Sequence, residues 1–185
     1  MFLSADEGFV FKLADAGKTI DRGTLYSEGR IVLFAPHGSP LTPDARFEDL
    51  KAALKDGRLQ KFAIANPEHA PYGRAAEQAL ESQGLWEDVK PKLVLGENVA
   101  QTAQFATSGS TQGGIFAYLL ALSPEVAKLG SFVLIPADWH RPLRQRMVLM
   151  KNAGEAAKAF YAYVQTPAAR AIFRKFGFVL SGEVK

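Results

Sequence analysis

The chain has 185 residues, 48% of them hydrophobic, which is enough for one large domain or two small ones with a packed core. Its net charge of +3 is mild, and the absence of a Lys/Arg block argues against nucleic-acid binding. Cysteine is absent, so disulfides, zinc–thiolate sites and thiol catalysis are excluded. No apolar run is long enough to span a membrane, and we expect no secretory signal peptide in this chain.

Short apolar runs alternate with segments of helical periodicity along the chain. Ser4 and Glu7 form a capping-box pattern, which predicts a first helix that ends at Gly17. The apolar runs predict strands over residues 30–35, 61–65, 92–96, 113–117, 131–136 and 144–150. Further helices are predicted over residues 46–57, 71–84 and 97–109, and two more over 154–177, broken before Pro167. The strand runs are nearly continuous, which favours parallel strands covered on both faces, and the alternation predicts an α/β fold.

Two Pro- and Gly-rich stretches are candidate domain boundaries. They are "APHGSPLTPDA" (residues 35–45) near the front and "PADWHRPL" (residues 136–143) near the back. A chain that leaves one lobe and later returns to it would cross at two such places.

Two predicted helix starts indicate a possible anion site. In "NPEHAPYGRAAEQAL", Pro71 suits the first helical position, so Tyr72 and Gly73 offer N–H groups that lack partners within the helix. Gly73 also allows another atom to approach closely. The next strand ends at Gly96, and Val99 presents a similar N–H at the following helix start. Two such starts at the carboxyl ends of neighbouring strands form a ready anion site, although many helix ends of this kind bind only water.

Other polar residues give weaker signals. "TSGSTQGG" (residues 107–114) is either a phosphate-binding loop or a flexible connection, and it lacks the G-K-[ST] ending of a P-loop. The histidines His37, His69 and His140 do not have metal-ligand spacing, and no serine lies in a G-x-S-x-G elbow. His69 either lines a site or caps its own loop.

Four segments resemble the periplasmic molybdate-binding proteins of ABC transporters. They are "FLSAD", "NPEHAPYGRAAEQALESQGLWEDVKPKLVLGENVAQ", "GGIFAYLLAL" and "AAKAFYAYVQTPAARAIFRKFGF", in the family's order and across essentially the whole chain. The resemblance implies a two-lobed, type II periplasmic binding-protein fold. Residues 1–34 and 144–185 would form the remainder of the first lobe, and residues 35–143 the second.

The resemblance also implies a ligand and a site. Molybdate or tungstate would be held by uncharged N–H and hydroxyl groups, with the backbone of Tyr72 and Val99 as matched donors. Gly73, Asn98 and Tyr118 are additional candidates. Molybdenum would enter only as the oxyanion, without direct coordination by the protein, and there would be no cofactor and no enzymatic activity. A membrane permease would be the partner, with the parent protein in the periplasm.

The family's chain contains a section that precedes "FLSAD". We therefore expect an incomplete first lobe, weakened ligand binding and an exposed sheet edge open to self-association. Two alternatives from other classes remain. One is an oxyanion- or small-molecule-sensing effector domain of a transcription regulator, and the other is a small transferase built around residues 107–114.

Overall fold

A computed structural model describes residues 1–180, which fall into two compact units. The smaller unit combines Met1–Gly29 with the chain from Pro142 onward, and the larger unit is Arg30–Arg141. The boundaries implied by the resemblance follow residues 34 and 143, so residues 30–34 and 142–143 lie in the other unit than the one implied. None of the helices in residues 1–180 has the length and hydropathy needed to cross a bilayer.

The described residues form eight strands and nine α-helices. The strands are β1 (Phe2–Ser4), β2 (Thr24–Gly29), β3 (Ile31–Pro36), β4 (Phe62–Ala65), β5 (Leu93–Gly96), β6 (Gly113–Ala117), β7 (Gly130–Leu134) and β8 (Leu143–Val148). The helices are α1 (Glu7–Asp15), α2 (Glu48–Lys55), α3 (Pro71–Ser82), α4 (Trp86–Val89), α5 (Val99–Thr107), α6 (Tyr118–Ala121), α7 (Pro124–Ala127), α8 (Glu155–Val164) and α9 (Pro167–Lys175).

The larger unit contains a mixed sheet with the strand order β5-β4-β6-β3-β7. Strand β4 pairs in parallel with β5 and β6, whereas β3 is antiparallel to both β6 and β7. The expectation of parallel strands is therefore right for the pairing of β4 with β5 and β6. It is wrong for β3 and β7, and also for β8, which pairs antiparallel with β1 and β2 in the other sheet. A continuous apolar run shows that both faces of a strand are covered, and it carries no information about direction.

Helices cover both faces of this sheet. On one face, Ala103 and Ala106 of α5 pack on Val32, Phe34 and Phe116, all of them buried. The alternate strand residues, which point to the other face, are also fully buried; they include Leu33, Ile64 and Ile115. Helix α3 contacts β4, β6 and β3. Each fully buried large side chain contributes about 1.5–3 kcal/mol to the hydrophobic stabilisation.

The smaller unit contains an antiparallel sheet with the order β1-β8-β2. The sequence patterns did not predict β1 and β2, because β1 is three residues long and β2 mixes polar with apolar residues. The capping-box prediction for Ser4 is wrong: Asp6 is the N-cap of α1, and its carboxylate accepts from the Gly8 N–H at 2.8 Å. Ser4 instead accepts from the Asp6 N–H at 3.2 Å. The predicted helix break is confirmed, since α9 begins at Pro167.

Candidate functional site

The two predicted helix starts lie at one edge of the larger unit's sheet. Strands β4 and β5 are parallel neighbours whose last residues, Ala65 and Gly96, are paired. The pairing continues one step further, because the Asn66 N–H donates to the Gly96 carbonyl at 2.8 Å. Helix α3 follows β4 and helix α5 follows β5, so both begin beyond the carboxyl ends of adjacent strands.

This edge is a topological switch point of the sheet. The chain runs from β4 through α3 to β5, and then from β5 through α5 to β6 on the far side of β4. Right-handed crossovers in opposite directions place the two helices on opposite faces of the sheet. Open α/β sheets commonly bind ligands beyond the carboxyl ends of strands whose helices leave to opposite faces.

The start of α5 is organised by Asn98, its N-cap residue. The Asn98 side-chain oxygen accepts from the N–H groups of Ala100 and Gln101, both at 3.0 Å. Within residues 1–180, the N–H groups of Asn98 and Val99 donate no hydrogen bond. The Asn98 side chain therefore pairs with the N–H groups of the second and third residues of α5. The consecutive N–H groups of Asn98 and Val99 are left for an acceptor outside the chain.

The rest of the α5 entry is held by its own chain. Gln101 Oε1 accepts from the Glu97 N–H at 2.7 Å, and the Asn98 carbonyl accepts from both the N–H and the hydroxyl of Thr102. A Cβ added to Gly96 would lie 2.6 Å from Thr102 Oγ1, so glycine is required where this turn folds back on the strand. These contacts fix the direction of the Val99 amide.

The start of α3 is held by proline, by a turn and by a close backbone contact. Pro71 occupies the first helical turn as predicted, and the Asn66 carbonyl accepts from the Ala70 N–H at 2.9 Å. Tyr72 is buried at the next position. A Cβ on Gly73 would lie 2.2 Å from the Ala65 carbonyl oxygen. The close approach that Gly73 allows is thus taken by the end of β4.

His69 joins the loops that lead into the two helices. Its Nε2 lies 3.0 Å from the backbone carbonyl oxygen of Glu97 and 3.5 Å from the Glu97 carboxylate. Because a carbonyl oxygen only accepts hydrogen bonds, this nitrogen carries the proton. His69 therefore does not cap its own loop, which was one of the two alternatives left open by the sequence: its side chain bridges to the loop before α5 and remains half exposed.

Tyr118 lies at the same edge, after the carboxyl end of β6, and begins α6. Its N–H donates to the Arg30 carbonyl at 2.9 Å, so this amide has an internal partner. Its ring contacts Phe132 with the centroids 5.9 Å apart.

The weaker candidates of the sequence analysis have structural partners. The hydroxyls of Ser108, Ser110 and Thr111 all contact the Phe105 carbonyl oxygen, so the loop over residues 107–114 is bound to the end of α5. In the described part of the chain, no three His, Cys, Asp or Glu side chains form a group that could hold a metal ion.

Comparison with known proteins identifies the family. The family model of the bacterial extracellular solute-binding proteins matches residues 1–179. The chain belongs to this family of solute-binding proteins. Among its relatives, the molybdate-binding protein ModA of Rhodobacter capsulatus is 36% identical over 182 residues, covering 97% of this chain and 68% of the relative. The ModA of Azotobacter vinelandii is 32% identical over 183 residues, with 70% of the relative covered.

A solved structure confirms the fold of this solute-binding protein. The periplasmic molybdate-binding protein of Azotobacter vinelandii superimposes with a TM-score of 0.84 at 29% identity, covering 97% of this chain and 77% of that one. The predicted type II binding-protein fold and the predicted resemblance are both confirmed. The chain spans 68–70% of the length of the two ModA relatives.

Proposed function

We propose that this chain is the molybdate- or tungstate-binding component of an ABC importer. The observation that carries the proposal is the pair of helix starts beyond the carboxyl ends of the parallel neighbours β4 and β5. The relatives support it, because they are molybdate-binding proteins of the same family. Both helix starts lie within the segment over residues 66–101 that carries the resemblance.

The donors are uncharged amides rather than cationic side chains. Tyr72 supplies one from α3, Val99 supplies one from α5, and Asn98 supplies a third next to Val99. Each helix start adds the equivalent of about half a positive charge. At roughly 1.5–3 kcal/mol for each hydrogen bond to a charged group, three amides correspond to a Kd between about millimolar and micromolar.

Gly73 and Tyr118 have structural roles in this proposal. The missing Cβ of Gly73 accommodates the Ala65 carbonyl, and the Tyr118 amide is bonded to Arg30. Molybdenum is cargo and binds as the oxyanion, with no bond from a protein side chain to the metal and with no cofactor.

Calorimetric titration with molybdate, tungstate and sulfate tests the proposal. We expect saturable binding of one molybdate or tungstate per chain and clearly weaker binding of sulfate. These ions carry the same charge, so fixed amides discriminate among them by size. Equal affinity for molybdate and sulfate would contradict selection by size, and the absence of saturable heat with all three would contradict oxyanion binding.

The chain acts by binding and delivery, without chemistry. A solute-binding protein of an importer captures its ligand and presents it to a membrane permease, which places the protein in the periplasm. This role needs no nucleophile and no general base, and hydrogen bonds to uncharged amides release the oxyanion unchanged.

We further propose that two copies associate through the β1 edge of the smaller unit's sheet. Strand β1 is the last in the order β1-β8-β2, and Leu3 within it is 41% exposed. An edge strand presents backbone groups that pair readily with another chain.

Sedimentation velocity over a range of concentrations tests this association. We expect a monomer–dimer equilibrium that Leu3→Lys shifts to monomer, because a lysine on an edge opposes pairing. Leu129→Lys, at a similarly exposed leucine of the larger unit, is the control and leaves the equilibrium unchanged. A monomer at every concentration would contradict the association.

A further inference from the structure

We propose that His69 is a positioning residue that sets the separation of the two amide donors, and this inference rests on the proposed function. The donors belong to two separate loops, one after β4 and one after β5. The sheet fixes these loops only as far as the bond from the Asn66 N–H to the Gly96 carbonyl. Beyond that bond, each loop is held mainly by contacts within itself.

The His69 side chain supplies a link beyond the sheet. It reaches from the loop before α3 to Glu97 in the loop before α5, and Nε2 donates to the Glu97 carbonyl at 3.0 Å. His69 stands three residues before Tyr72, and Glu97 stands two residues before Val99. The imidazole therefore acts as a spacer close to both donors.

The carbonyl bond, rather than the ion pair, fixes this geometry. The Glu97 carboxylate is 3.5 Å from Nε2 and its side chain is 78% exposed, so solvent screens the pair and it contributes little. The bond to the carbonyl instead holds the backbone of Glu97. That backbone leads directly through Asn98 into the helix start, where the N-cap has fixed the direction of the Val99 amide.

The spacer affects both affinity and the choice of ligand. When the two donors are held at a fixed separation, they fit an oxyanion of one size. When the two loops move independently, the donors can adapt to oxyanions of several sizes. Removing the link should weaken molybdate binding and also reduce the preference for molybdate over the smaller sulfate.

Three variants test this inference by calorimetry with molybdate and sulfate. In His69→Leu we expect molybdate affinity to fall about three- to tenfold, as for the loss of one ordering hydrogen bond. Sulfate affinity should fall less, so that the ratio of the two affinities narrows. His69→Gln, whose side-chain amide also donates to a carbonyl, should restore most of the affinity and the ratio. His37→Leu is the control. His37 is exposed and follows β3, whose last residues lie at the other end of the sheet from the two helix starts.

A second measurement separates this inference from the proposed function. In the ligand-free protein, the amide resonance of Val99 should shift in His69→Leu and stay in place in His37→Leu. If the unmodified protein binds no oxyanion, the proposed function fails and the Val99 resonance alone decides whether His69 positions the loop. An unshifted Val99 resonance would overturn the inference, and so would a His69→Gln variant that binds as weakly as His69→Leu.

Discussion

Replacing Val99 with proline is expected to weaken molybdate binding by about ten- to hundredfold, because the substitution removes one of the N–H groups that we propose as donors to the charged ligand. The helix should tolerate this change. Val99 is the first residue of α5, where proline is favoured and where the N–H has no partner within the helix. The residue before a proline must be extended, and Asn98 already has φ −150° and ψ 173°.

Val99→Ala is the matched control for this prediction. Alanine keeps the N–H and removes most of the same side chain, which packs at the rim of the α5 core cluster. We expect Val99→Ala to bind molybdate nearly as tightly as the unmodified protein does. The midpoints of thermal unfolding of Val99→Pro and Val99→Ala should be similar. If calorimetry showed equal affinities for Val99→Pro and Val99→Ala, the Val99 amide would not be a ligand.

Replacing Gly73 with alanine is expected to lower the free energy of unfolding of the larger unit by about 3 kcal/mol, as for other overpacked sites. The new Cβ would lie 2.2 Å from the Ala65 carbonyl oxygen and 2.7 Å from its carbon, both of which are rigid strand backbone. Helix α3 would have to move away from β4, and its first amides would move with it. Molybdate binding should therefore weaken together with stability.

Urea denaturation followed by tryptophan fluorescence measures this effect. Both tryptophans, Trp86 and Trp139, lie in the larger unit, so the signal reports on that unit. Gly84→Ala is the control: it has φ +69° and open space around it, so alanine there costs only the backbone penalty of about 1 kcal/mol. Equal losses of stability in the two variants would contradict the steric role of Gly73.

Local signals in the sequence predicted the helix starts well. Pro71 marks the first turn of α3, because proline acts through the backbone next to it, and the end of the strand at Gly96 placed the start of α5 near Val99. The N-cap role of Asn98 was not predicted. The positions of strands β3 to β8 also followed from their apolar runs. The wrong N-cap prediction at Ser4 also came from a local signal. Asp6, two residues later, is an equally good cap, and the sequence pattern did not distinguish between the two.

Features that depend on distant parts of the chain were not predictable in this way. The direction of β3 and β7 depends on which strands they meet, and an apolar run is the same in either direction. The bridge from His69 to Glu97 joins residues 28 positions apart, and it exists only because β4 and β5 are neighbours. A lone histidine in a loop carries no signal for such a contact. The resemblance to a known family, by contrast, correctly predicted the fold and the family of solute-binding proteins to which the chain belongs.

The proposed function requires that the amides of Tyr72 and Val99, from two different helices, bind one oxyanion. A molybdate titration followed by amide proton and nitrogen chemical shifts tests this requirement at the two donors themselves. We predict that both resonances move along one saturation curve with a single dissociation constant, while the amide of Tyr118, which is bonded to Arg30, stays in place. Resonances of Tyr72 and Val99 that stay fixed, or that saturate at different molybdate concentrations, would contradict this requirement.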